Sequence, residues 1–174
     1  MKRLTAFVLT LVLAVSPFGC AKKPADNMTV TSNVPGTAEE IIEKIYKNHH
    51  EMELPLLTMP LDLSDNNTVE YNTALTSVDG ITEIAVSEPM MGQPYSLVLV
   101  RCADAGKAAE VAKTMYDGVD MRKWICVQAD AKFAGSVGDL AVFFMVSTEF
   151  ADQATVEDMQ AAVEAVCGTV TYVA

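Results

Sequence analysis

The chain has 174 residues, 51% of them hydrophobic, with 12 basic against 23 acidic side chains and a formal net charge of −11. That is one domain's worth of chain, long enough to close a hydrophobic core. Its acidity excludes nucleic-acid binding through counterion release and keeps the folded part off an anionic membrane surface.

Met1-Lys2-Arg3 is a short positive start, Leu4 to Val15 is almost unbroken in apolar residues, and Ser16-Pro17-Phe18-Gly19-Cys20 follows. This order predicts a secretory signal peptide. The apolar run falls short of the roughly 20 residues that a membrane-spanning helix needs, and Pro17 would break its end. Val15 to Cys20 resembles the lipobox of bacterial lipoproteins, in which the cysteine thiol receives a diacylglycerol and becomes the new N-terminus. Gly19 and Cys20 match that pattern. Pro17 and Phe18 depart from the branched apolar and small residues it expects. The resemblance implies removal of residues 1–19, lipidation of Cys20 and a place on the extracytoplasmic face of the cell membrane. The competing readings are an ordinary signal peptide cleaved nearby and a stray cysteine. Two acyl chains hold a protein stably where one is marginal. Lys22 and Lys23 would then lie at the headgroups. Residues 20–36 show no periodicity and carry Pro24 and Pro35, so they read as a flexible tether.

A single domain is expected over residues 37–174. Thr37 and Glu40 form a capping box, and Ile41, Ile42, Ile45 and Tyr46 make the apolar stripe of a first helix. Leu54 to Leu63 contains Pro55 and Pro60 and reads as an extended connector, followed by one or two helical turns. In "ITEIAVSEP", Thr82, Ile84 and Val86 alternate with Glu83, Ala85 and Ser87, which predicts a half-buried strand. Met90 and Met91 then lie in a turn between two prolines. "YSLVLVRC" is apolar on both faces and predicts a central strand. A helix over 105–117 follows, with Ala108, Val111, Ala112 and Met115 inward and Gly118 at its end. Residues 119–130 fit both periods and are read as its helical continuation. "AKFAGSVGDLAVFFMVS" predicts a hairpin with a Gly-Asp turn. A last helix over 155–167 carries Val156, Met159, Val163 and Val166, and Gly168 suits its end.

The order after residue 80 is therefore ββαββα. The expected class is α+β: an antiparallel sheet of about four strands with both late helices on one face, preceded by the N-terminal helix. The two strand–loop–helix stretches are alike, through an old duplication or because any such unit looks so. The plan as a whole resembles a family of uncharacterised bacterial lipoproteins with a lipobox, a polar tether, a first helix like "AEEIIEKIY", a strand like "GITEIAVSEPMM" and a helix like "KAAEVAKTMYD". That resemblance covers most of residues 37–168 and implies a location and a fold, but no reaction.

Motifs for chemistry are missing. The chain has no phosphate loop, dinucleotide fingerprint, nucleophile elbow, zinc-protease motif or Cys-x-x-Cys, so no cofactor is expected. A catalytic triad would have to use one of two adjacent histidines, and nothing selects its nucleophile. His49 and Glu53 are four apart and would share a face if the first helix continued, with Met52 as a soft ligand; they are the candidates for a metal. The spacing matches no known metal cage, and His49 also follows Ile45 on the apolar stripe, where it would be a partly buried structural histidine. Met90 and Met91 are the candidates for a partner contact if exposed, and core fillers otherwise. With Cys20 acylated, Cys102, Cys126 and Cys167 remain. An odd number argues against a disulfide framework and leaves one bridge plus a free thiol as the alternative. The expected function is thus a non-catalytic, lipid-anchored domain displaying a surface to an envelope protein or peptide. A small-ligand or metal-binding module is the alternative.

Overall fold

The structure, a computed structural model, describes residues 34–49, 54–150 and 154–173. Cys20, Met52 and Glu53 lie outside them. The capping box at Thr37 forms: its hydroxyl accepts from the Glu40 amide, and the Glu40 carboxylate accepts from the Thr37 amide. This starts α1 (Ala38–Asn48), which buries Ile41, Ile42 and Ile45. The remaining elements are β1 (Leu56–Pro60), α2 (Asn66–Thr73), β2 (Ile81–Pro89), β3 (Tyr95–Cys102), α3 (Ala108–Gly118), β4 (Ala131–Val137), β5 (Leu140–Val146), α4 (Val156–Cys167) and β6 (Thr171–Tyr172).

The α+β class holds, but the sheet has six strands rather than four, in the order β1-β2-β3-β5-β4-β6, with every neighbouring pair antiparallel. The two additional strands are its edges. β1 was hidden in the proline-bearing connector. Pro60 ends it at the sheet margin, where the missing amide costs no ladder bond. β6 is two residues long, too short for any periodicity to register. The outer edge of β1 is poor ground for adding another strand, because Pro60 has no donor and the Leu56 amide bonds to the Leu54 carbonyl. The β4–β5 hairpin turns through Gly138 at φ 55°, which suits the first central position of a tight primed turn.

The expectation that both late helices share one face is wrong. Side chains alternate across the sheet. Leu97, Leu99, Val142 and Phe144 face one way and pack with Ile41, Ile45, Met159 and Val163, so α1 and α4 cover that side. Val98, Val100, Phe143 and Met145 face the other way and pack with Val69, Val111, Ala112 and Met115, so α2 and α3 cover that one. The topology explains the split. β3 leads through α3 to β4, and β5 leads through α4 to β6. Each connection steps over one strand in the same direction, but β3 and β5 run antiparallel. Connections of one hand that leave oppositely directed strands lie on opposite faces. The duplicated look of the two units thus corresponds to two split β-α-β crossovers, one per face.

The fold also begins earlier than Thr37. Val34 is buried, and the Arg101 guanidinium, at the far end of β3, donates to the carbonyls of Val34 (3.1 Å) and Gly36 (2.6 Å). The same group pairs with Glu83 and Asp139, whose side chains are 37% and 5% exposed. Glu83 in turn accepts from the Ala38 amide at 3.0 Å. Chain entry is therefore fixed to one end of the sheet.

The two-faced packing has an energetic consequence. Met115→Ala and Met159→Ala should each cost about 2–5 kcal/mol, the range for fully buried large side chains. Because a sheet separates the two sites, the double variant should cost their sum within about 0.5 kcal/mol, measured by urea denaturation. A coupling well above that would contradict packing on separate faces.

Candidate functional site

At the end of the sheet opposite Arg101, three segments converge: the β2–β3 loop, residues 119–130, and a 3₁₀ turn at Thr148–Phe150. Residues 119–130 do not continue α3. Val119 is already extended, with its amide on the Met115 carbonyl, and the segment beyond it is a loop. Lys123 is the reason. Its side chain turns inward and is 1% exposed, ion-paired with Glu88 of β2. Its ammonium also donates to Asn72 Oδ1 of α2 at 2.9 Å and to Ser96 Oγ of β3 at 3.3 Å. The rings of Tyr71 and Trp124 lie 5.2 and 5.3 Å from the nitrogen, within cation–π reach. The Tyr71 hydroxyl donates to the Lys123 carbonyl at 2.6 Å. A helix through residue 123 would give up this bonding. Burial draws the lysine pKa down, and the Glu88 carboxylate pulls it partly back.

Pinned in this way, the loop presents its next residues outward. Ile125 is 91% exposed, and Cys126 beside it has φ 67° and an exposed thiol. Across from them Met90 and Met91 are 74% and 72% exposed. The paired methionines are therefore surface residues, not core fillers. Between the β2–β3 loop and residues 126–128 lies a cleft of about 330 Å³, floored by Gln93, Pro94 and Ser147 and bordered by Glu149. A larger cleft of about 550 Å³ opens on the other side of Asp130, lined by Tyr116, Lys132 and Thr155 among others. Asp130 itself is engaged: its carboxylate accepts from the Thr148 amide and hydroxyl, both at 2.6 Å, and these bonds hold its pKa below the usual range. Lys132 is engaged too, donating to the Tyr116 carbonyl with its nitrogen 4.5 Å from the ring centre.

Of the residues singled out in the sequence, His49 is buried and ends α1, its amide donating to the carbonyls of Ile45 and Tyr46. The first helix stops at Asn48 and His49 is extended; Glu53, its companion in the sequence reading, lies outside the described residues. Among the described residues no group of three or more His, Cys, Asp or Glu side chains is placed to hold a metal. Cys102, Cys126 and Cys167 are free thiols, and burial pushes Cys102 and Cys167 up to about 11. Lys123 escaped the sequence reading. Its one signal was position: a lysine beside the chain's single tryptophan, in a stretch that fitted both periods.

Among the described residues no helix is long and apolar enough to cross a membrane. Comparison with protein-family models, with curated proteins and with solved structures found no match for this chain. What this end of the molecule offers to solution is apolar surface beside oxygen acceptors, on a loop tied to the sheet by the Lys123–Glu88 ion pair.

Two expectations follow from these ionisable groups. Glu88→Gln leaves the buried Lys123 charge without its partner and should cost about 3 kcal/mol in urea denaturation, whereas Glu88→Leu with Lys123→Met should recover most of that loss. The second concerns alkaline pH. The hydroxyls of Tyr46 and Tyr95 lie 3.2 Å apart, and burial raises both, Tyr46 to about 12 from 10.0. Between those values the unfolded tyrosine has lost a proton that the folded one keeps, so rising pH favours unfolding. Stability should fall as pH climbs from 10 towards 12, and Tyr46→Phe should flatten that slope. An unchanged slope in the variant would show that Tyr46 is not the group responsible.

Proposed function

We propose that this chain is a non-catalytic, lipid-anchored protein of the extracytoplasmic membrane face that presents its apolar end to a protein or peptide. The observation that carries the proposal is the pole-to-pole arrangement. Chain entry is sewn to the Arg101 end of β3, and Met90, Met91 and Ile125 stand exposed at the other. Seven residue steps of about 3.3 Å separate the ends of that strand, roughly 23 Å. With Cys20 acylated, the tether would join the fold at the end opposite this apolar surface, leaving the surface clear of the point of attachment. The likeness of Val15–Cys20 to a lipobox, and of the chain's plan to uncharacterised bacterial lipoproteins, supports the anchor.

Clustered apolar side chains exposed at one site mark interaction surfaces. Methionine, unbranched and polarisable, adapts to varied contours. The small-ligand reading rests on the cleft of about 550 Å³, which is within the usual range for ligand sites. It is the second choice because Lys132 and Thr155, which line that cleft and not the smaller one, already bond within the fold.

Cys20→Ser should release the protein from membranes or leave its leader uncleaved, and fractionation with mobility on gels reads this out. A photoreactive residue at position 91 should give discrete crosslinked adducts on intact cells, and one at position 110, on the exposed face of α3, should not. A serine variant that fractionates and migrates like the parent would overturn the anchor. Equal labelling from both positions would overturn the surface.

A further inference from the structure

Gln93, in the β2–β3 loop, lines the smaller cleft, and its Oε1 is buried with no hydrogen-bond donor among the described residues. An unmade buried acceptor is costly, and such groups in native folds call for an explanation. The other cleft residues give one. Glu149 and Asp130 bring two carboxylates, Gln128 brings a second amide, and no lysine or arginine is among the lining residues. The neighbouring Lys123 is turned inward on Glu88 and does not neutralise them. The Asp130 carboxylate is partly satisfied by Thr148, and Glu149 is exposed. Met91, Ile125 and Val127 rise beside this acidic opening, the last 37% exposed.

We propose that the cleft receives a basic side chain, arginine or lysine, from a partner segment that is otherwise apolar. This rests on the reading of the pole as a docking surface and adds the chemistry of what docks. A guanidinium or ammonium group supplies only donors, so it meets the two carboxylates by charge. It meets Gln93 once the terminal amide turns about its last, softly restrained torsion. Apolar neighbours on the same segment cover Met90, Met91 and Ile125. A second copy of this chain is disfavoured by charge, since the chain carries −11 overall, and an anionic lipid surface is disfavoured for the same reason.

The test uses the full chain in micelles of a neutral detergent and a fluorescent, end-capped peptide of leucine, alanine and two arginines, read by anisotropy. Two comparison peptides replace arginine with glutamate or leucine with serine. The arginine–leucine peptide should bind, and both replacements should weaken it. Glu149→Gln and Gln93→Leu should each lower affinity about tenfold or more, the loss expected for a charged hydrogen-bonding partner. Glu110→Gln, on the exposed face of α3, should leave it unchanged. Gln93→Leu should also hold or raise the melting temperature, since it removes the buried unpaired acceptor. A binding loss caused by misfolding would instead come with a lower one. The proposal fails if Glu149→Gln and Gln93→Leu bind like the parent, if the glutamate peptide binds as well, or if the pole mediates self-association instead. Specific crosslinking from position 91 alongside such a failure would leave the docking surface standing and remove only the basic partner. Loss of both would remove the docking surface as well.

Discussion

The constraint on which the structure depends is burial of β3 and β5 on both faces. Every residue of β5 is buried, and β3 is buried everywhere except at Arg101. Strands of that composition cannot leave either side to water, so each face needs its own cover. Among the described residues this is met by four short helices, two per face, none long enough to be stable alone in water. Helix formation and sheet formation are therefore one event: the apolar stripes of α1, α3 and α4 have partners only when the central pair is assembled.

Polar chemistry is pushed to the two ends of this slab, where Arg101 and Lys123 turn inward. Arg101 gathers the segment just ahead of α1, and Lys123 gathers the loop after α3. The two residue types suit their tasks. Arg101 serves two carboxylates and two carbonyls at once, which a planar, five-donor guanidinium can do. Lys123 is a compact point charge on a long stem, enclosed by two aromatic rings and one carboxylate. Neither cation sits in the apolar layers themselves. They add polar anchors to segments that also reach the core, through Val34 at one end and Val119 and Ala129 at the other.

Much of the fold was legible in the sequence, because periodicity and capping report on local structure. The capping box at Thr37, the stripe of Ile41 and Ile45, the apolar runs 95–102 and 140–146 and the Gly138-Asp139 turn all formed as read. The helix faces were misjudged because crossover geometry depends on strand order, and β5 inserts between β3 and β4 without leaving a mark in composition. β6 was invisible at two residues. The candidate site was half legible. Met90 and Met91 were singled out by their prolines, whereas the cleft depends on contacts far apart in sequence, such as residue 93 against 126 and 147. Lys123 was missed because a charged residue beside apolar ones ordinarily signals a solvated helix face, and here the ammonium goes inward.

The Arg101 cluster also decides how the domain answers tension. A pull on the N-terminal segment meets first the two bonds from one guanidinium to the carbonyls of Val34 and Gly36. Next it meets the capped start of α1, and only then the ladders of the sheet. Force arriving along that route peels the entry from one end of the slab while the central strands keep their register. The opposite end, held by its own lysine, lies the length of β3 away from that entry.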